Sequence, residues 1–286
     1  YDMVFHSFAV RNTAGYARGI FAPPHDNPAE STVIRRLTAA LTGANELGPE
    51  PEAMLTALSS TFANAGNDPL VRVIILAANG PAFCAGHDLK QMTAVRQNAD
   101  GGAAAFKDLF DRCATFMQTV QDIPQPVIAQ VHGIATAAGC QLVASCDLAV
   151  AAEGTRFGVN GVNIGLFCST PMVALSRNIA RKRAFEMLVT GEFMTADEAK
   201  HAGLINRVVS EIELAPSARA LAELIASKLG SAVKTGKTAF YQQIQMPLDQ
   251  AYAYTGNVMV ENMLNRDTEE GIAAFIEKRD PNWSQD

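Results

Sequence analysis

Apolar positions along the chain alternate between two spacings. From Glu52 to Ala65, Met54, Leu55, Leu58 and Phe62 recur at helical intervals and predict an amphipathic helix. Asn67-Asp68-Pro69 ends it, and Val71-Arg-Val-Ile-Ile-Leu76 is a β-branched run typical of a buried strand. Between Gly101 and Val120, Phe106, Leu109, Phe110, Cys113 and Phe116 mark one face of a long helix. The alternation then repeats. Pro126 to Val131 reads as a short strand, followed by a small-residue turn and a helix through Gln141 to Ser145. Leu148 to Ala152 is the next strand, Ala184 to Thr190 a helix, Thr195 the cap of a helix holding Asp197 to Ala202, and Leu204 to Val209 a last strand. Strands that alternate with helices predict parallel α/β layers.

From about Ile212 the strand signal stops. Leu221, Leu224, Ile225 and Leu229 form one helical stripe, and Ala251 to Leu264 another. The last helix carries Glu269 and Glu270 near its start and Lys278 and Arg279 at its end, matching the helix dipole, before Pro281 stops it. This divides the chain into an α/β core over residues 1–210 and a helical region over 211–286, whose stripes pack on the core or on a neighbouring subunit. The first fifty residues fit this scheme least. Pro23, Pro24 and Pro28 mark a loop, and Thr32 to Leu41 reads as a strand or a short helix.

The 286 residues, 48% of them hydrophobic, suffice for one sizeable core. A net charge of −6 argues against a nucleic-acid partner, so an anionic substrate needs a local basic patch. Five cysteines without paired C-x-x-C spacing read as reduced core thiols, not as metal ligands or disulfides. Tyr1 to Ala22 has no charged stretch followed by an apolar run, so no secretory signal is read there. No apolar run reaches the roughly 18 residues of a membrane span. The expected location is cytoplasmic.

Two segments have the composition of ligand-binding turns. Gly80-Pro-Ala-Phe-Cys-Ala-Gly-His-Asp-Leu-Lys-Gln-Met92 follows the Val71–Leu76 strand, and Gly133-Ile-Ala-Thr-Ala-Ala-Gly-Cys-Gln-Leu142 follows the Val127–Val131 strand. Small residues let a ligand approach the backbone, and the helix after each turn begins with unpaired N–H groups. Two such turns meeting at neighbouring strand ends would aim two donors at one oxygen, as an oxyanion hole does. Two ordinary strand-to-helix connections remain the alternative on composition alone.

Phe83-Cys-Ala-Gly-His-Asp-Leu-Lys90 resembles the first signature of the crotonase (enoyl-CoA hydratase/isomerase) superfamily, and the run Val131 to Ala149 resembles its second. The similarity extends from about Met54 to the end, and Gly165-Leu-Phe-Cys-Ser-Thr-Pro171 is similar to the enoyl-CoA hydratase domain-containing branch. The resemblance implies a spiral of ββα repeats with a C-terminal helical region, assembled as a homotrimer or a dimer of trimers. It implies an acyl-CoA thioester as substrate, in fatty-acid chemistry of the lyase or isomerase class, with no metal and no cofactor beyond the substrate's own coenzyme A. The backbone N–H groups of His87 and Ala138 would be the oxyanion donors. Ala85 would meet the adenine, His87, Asp88, Leu89 and Lys90 would form the substrate-binding turn, and Met259 and Lys278 would reach coenzyme A from an adjoining subunit; Lys278 reads equally as a solvated helix-end charge.

The chain departs from the family at its acid–base positions, where the resemblance places two glutamates and this sequence holds Gln141 and Gly161. An amide cannot accept a proton at neutral pH and glycine has no side chain, so loss of a positioned acid or base costs about 10²–10⁴-fold in rate. Efficient hydration by two glutamates is not expected. A second departure is Leu41-Thr-Gly-Ala-Asn45 in place of the family's first turn and its basic contact. Other candidates have plainer readings: Asp88 as a helix cap, Asp147 as structural, Cys168 as a packed thiol, Glu192 as a solvated acid. Asn163 and Cys168 fall in the segment that would line the acyl pocket, and the His87 imidazole stands near the expected hole. Gly230-Ser-Ala-Val-Lys-Thr-Gly-Lys-Thr238 has the wrong glycine spacing for a phosphate loop and no strand before it; Lys234 and Lys237 read as a solvated helix face. The leading expectation is an acyl-CoA-processing enzyme, against an acyl-CoA-binding protein with little turnover.

Overall fold

The β-branched run after Asp68 supplies the first long strand of a parallel sheet. The computed structural model describes residues 8–9 and 52–284. A short strand β1 (Phe8–Ala9) and helix α1 (Glu52–Asn67) precede β2 (Ile74–Ala78), α2 (Leu89–Val95) and α3 (Ala103–Asp122). Then come β3 (Val127–Val131), β4 (Ile134–Thr136), α4 (Ala138–Ser145), β5 (Leu148–Ala152), β6 (Arg156–Gly158), a 3-10 turn (Asn160–Ile164), α5 (Pro171–Asn178) and α6 (Arg181–Thr190). β7 (Met194–Thr195), α7 (Ala196–Ala202) and β8 (Arg207–Val209) lead to four helices, α8 (Glu211–Ala226), α9 (Gly230–Gln243), α10 (Leu248–Met263) and α11 (Arg266–Glu277).

The first sheet has the order β1-β2-β3-β5-β8, parallel apart from β1. Ile75 stands opposite Ile128, Ala129 opposite Ala149, and Ala151 opposite Val208. The second sheet, β4-β6-β7, is extended by a parallel bridge between Cys84 and Ala135. Each repeat thus sends one strand to the first sheet and one to the second before its helix, as β3-β4-α4 and β5-β6-α5 do. This is the ββα spiral that the resemblance implies.

Strand alternation sorts the core into two layers. Ile74 and Leu76 point into a cluster with Phe62, Phe83, Phe116, Phe157 and Leu175, while Val73 and Ile75 face Leu214, Ala218 and Ala222 of α8. Each fully buried aliphatic or aromatic side chain contributes about 1.5–3 kcal/mol. The sheet's second face is therefore covered by a helix from beyond residue 210.

Some boundaries differ from the pattern. Pairing begins at Ile74, although Val71 and Val73 are already buried. The strand expected from Leu204 forms only at Arg207–Val209, because Gly203 (φ +86°) closes α7 with bonds from its N–H to Lys200 O and from Leu204 N–H to Ala199 O. The stripe Leu221–Leu229 is split: α8 ends at Ala226, Leu224 is half exposed, and Leu229 precedes α9. Thr195 caps α7 in a full capping box with Glu198. The loop at Pro23–Pro28, the Thr32–Leu41 element and the turn at Leu41–Asn45 lie outside the described residues.

The glycine-lysine run that imitates a phosphate loop lies inside α9. Lys237 is not on a solvated face. Its ammonium is buried and donates to Val120 O (2.9 Å), Gln125 O (3.0 Å) and Asp147 Oδ2 (2.7 Å). Asp147 also accepts the Val127 N–H at 2.6 Å, so it joins β3, β5 and α9, a structural role. Burial raises the Asp147 pKa and lowers that of Lys237, while their mutual attraction opposes both shifts. All five cysteines are buried and unbridged. Among the described residues no cluster of metal-binding side chains occurs, and no helix is long and apolar enough to cross a membrane.

Candidate active site

Parallel strands deliver their following turns to one edge of the sheet, and there the two small-residue segments lie side by side. Phe83 N–H donates to His132 O (3.1 Å), Cys84 N–H to Ile134 O (3.1 Å), and Thr136 N–H to Cys84 O (2.9 Å). The approach is too close for side chains. A Cβ on Gly139 would lie 2.2 Å from Cys84 O, and one on Gly133 2.1 Å from Pro81 O. Gly86, at φ +93°, would place a Cβ 2.9 Å from Ala137 Cβ and 3.6 Å from Ala138 N. The residue before His87 therefore touches the residues that open α4.

Ala137 adopts φ 51°, ψ −120°, a conformation L residues rarely take. Such strain costs about 1–3 kcal/mol and persists where surrounding structure enforces it. Here Ala137 donates its N–H to Gly158 O (2.9 Å) and accepts from Gln141 N–H (3.0 Å). The twist makes Ala138 the first residue of α4, so its N–H has no acceptor within the helix. Every residue of α4 is buried, which leaves the helix dipole little screened. On the facing turn, Asp88 caps α2 by accepting from Lys90 N–H (2.8 Å) and Gln91 N–H (3.4 Å). That is the capping role expected of it.

The His87 ring meets Phe110 edge-on, with centroids 5.8 Å apart, and burial pushes its pKa down to about 4. At neutral pH it is an uncharged imidazole. Gln141 is buried, and its Oε1 has no hydrogen-bond partner. Gly161 is hemmed in: a Cβ there would lie 2.3 Å from Leu166 O and 2.9 Å from Cys168 Sγ. Leu166 N–H donates to Gly161 O at 2.9 Å, which fixes that loop. The Cys168 thiol is buried and its pKa is raised by burial, against a hydrogen bond from Gly161 N–H, so it is a packed thiol. Asn163 Nδ2 donates to Gly191 O (3.4 Å), and Glu192 is exposed.

Leu89 and Lys90 are exposed on α2, and Ala85 is half-buried. Met259 is exposed on α10, which packs on α9 and α11, and Lys278 is exposed with φ 55° just after α11. Two features carry no signal in the sequence. One is the Ala137 twist; the other is a 2.6 Å bond from Thr136 Oγ1 to Asn160 Oδ1, which ties β4 to the 3-10 turn. Two cavities lie elsewhere. One of about 480 Å³ adjoins Pro126, Asp147, Lys237 and Phe240 at the opposite sheet edge, and one of about 510 Å³ lies between α9 and α10.

The sequence profile described as Enoyl-CoA hydratase/isomerase matches residues 50–286. The chain belongs to the enoyl-CoA hydratase/isomerase family. Within it, the chain is similar to human enoyl-CoA hydratase domain-containing protein 3, mitochondrial, at 42% identity over 98% of this chain and 90% of that protein. The crystal structure of that human protein superposes with a TM-score of 0.76 at 46% identity, covering 81% of this chain and 89% of the other. A crystal structure of enoyl-CoA hydratase from Mycobacterium smegmatis gives a TM-score of 0.77 at 53% identity over 81% of this chain and 88% of that one. These place the chain in the enoyl-CoA hydratase domain-containing branch of the crotonase superfamily, a family of acyl-CoA-processing enzymes. The human relative is mitochondrial by name, so the expected cytoplasmic location finds no support in that protein.

Proposed function

We propose that the chain binds an acyl-CoA thioester and polarises its carbonyl between the backbone N–H groups of His87 and Ala138. The contact between Gly86 and the Ala137–Ala138 turn carries this reading, because it brings the two donors' segments within touching distance. Both donors are main-chain groups, so side-chain divergence nearby leaves them in place. In a buried setting they stabilise an oxygen that gains negative charge, as an enolate or a tetrahedral species does. Ala85, Asp88, Leu89 and Lys90 would line the coenzyme A path, with Met259 and Lys278 supplied by an adjoining subunit of a trimer or paired trimers.

The reaction is of the lyase or isomerase class, and two-glutamate hydration is disfavoured. At the positions where the resemblance puts the family's acids, Gln141 cannot take a proton and a Cβ at Gly161 would already meet Leu166 O at 2.3 Å. The same observation favours a second reading, an acyl-CoA-binding protein with little turnover. Purified protein mixed with short, medium and long enoyl-CoA thioesters separates them, following loss of conjugated absorbance and release of thiol. Turnover of any substrate supports the enzyme. Tight binding of all without turnover supports the binding protein, and no binding rejects both.

A further inference from the structure

The segments that build the candidate site meet at Thr136, the last residue of β4. Its N–H donates to Cys84 O (2.9 Å), and its carbonyl oxygen lies 3.5 Å from where a Cβ on Gly86 would stand, so it adjoins the turn that carries His87. Its hydroxyl donates to Asn160 Oδ1 (2.6 Å) at the start of the 3-10 turn. Its successor is the twisted Ala137, and the Ala138 N–H comes next. Thr136 is 2% exposed, whereas Asn160 is half-buried.

A hydroxyl at a buried strand position gains little stability over valine, because its hydrogen bond does little more than offset its own desolvation. Its use here is geometric. At Ala137 both φ 51° and ψ −120° lie outside the wells open to alanine, so relief requires both flanking peptides to turn. The second of those peptides carries the Ala138 N–H. From the helix side it is held by Gln141 N–H to Ala137 O, and from the strand side Ala137 N–H to Gly158 O holds the first. The Thr136 hydroxyl adds a further tie to the stretch that Gly158 opens, so the strand side cannot turn without breaking two bonds to it. We infer that Thr136 and Asn160 are positioning residues, whose hydrogen bond holds the strained Ala137 and so aims the Ala138 N–H at the thioester oxygen. Their role rests on the oxyanion reading proposed above and extends it from the donors to what aims them.

Hexadienoyl-CoA, read at first mixing with the full chain, reports this aim, because drawing electron density onto the thioester oxygen shifts the conjugated absorption to the red. The S-alkyl-CoA thioether of the same length lacks the carbonyl and reports an intact pocket. The wild type should bind the thioester with a red shift. Thr136→Val, nearly equal in shape, should keep the thioether affinity, weaken thioester binding about tenfold and lose most of the red shift, while Thr136→Ser should retain both. Asn160→Ala removes the acceptor from a half-buried position and should match Thr136→Val, so the test stands even if the buried variant fails to fold. A folded Thr136→Val or Asn160→Ala with the wild-type shift and affinity overturns the inference and leaves the oxyanion reading intact. An equal loss for thioester and thioether does the same, since a purely structural role affects both. Wild-type binding without a red shift, or no binding of either ligand, overturns the oxyanion reading, and the positioning role falls with it.

Discussion

Placing a glutamate at residue 161 tests whether this site is closed by its own backbone or merely lacks a carboxylate. The first atom of any side chain there would lie 2.3 Å from Leu166 O and 2.9 Å from Cys168 Sγ, against normal contacts well above 3 Å. Leu166 O is main chain and cannot rotate away, and the bond from Leu166 N–H to Gly161 O holds the loop against the 3-10 turn. Gly161→Glu must therefore displace Leu166–Cys168. Overpacking of this kind costs about 1–3 kcal/mol. For a chain of this size each kcal/mol lowers the melting temperature by about 2–4 °C, so a drop of roughly 4–10 °C is expected. Gly161→Ala should already show much of it, since the clash is at Cβ. Thermal unfolding followed by circular dichroism, beside an enoyl-CoA hydration assay, reads both consequences. Gly161→Glu alone should gain no hydration activity. A variant that melts with the wild type and hydrates crotonyl-CoA would refute the packing argument.

Three further outcomes follow from the same structure. Lys237→Met should cost about 3–5 kcal/mol in urea unfolding, because it strands the buried Asp147 carboxylate, and Lys237→Met with Asp147→Asn should cost less than the sum of the two. Gly139→Ala, whose methyl would meet Cys84 O at 2.2 Å, should pry the two turns apart and abolish thioester binding, whereas Gly236→Ala in α9, with nothing within 4 Å, should stabilise by about 0.5–1 kcal/mol. Burial lowers the His87 pKa from 6.5 to about 4, so between those values the unfolded chain binds a proton that the folded chain refuses. Stability should fall by up to about 3 kcal/mol as pH drops from 6.5 to 4, with this contribution flat outside that window, and His87→Phe should remove that slope in urea titrations.

Periodicity made the α/β layering legible, because each strand and helix buries one face and the apolar spacing records it. Leu148–Ala152 came through unchanged for that reason, and the Thr195 cap because a hydroxyl residue at a helix start carries its own signal. The family signatures led to the paired turns, whose glycines the structure explains by backbone contact. Tertiary partners hid the rest. Lys237 reads as solvated because nothing nearby in sequence announces Asp147, and Leu204 reads as strand although Gly203 turns the chain first. The Ala137 twist is invisible for the same reason: alanine carries no signature of positive φ, and only the Gly158 carbonyl and the start of α4 impose it.

A crystal structure of the protein with a bound, unreactive acyl-CoA thioester examines the central claim without intermediaries. The account predicts the thioester oxygen about 2.7–3.1 Å from both the His87 and the Ala138 nitrogens. A bound thioester whose oxygen meets neither nitrogen, or only one, would contradict it.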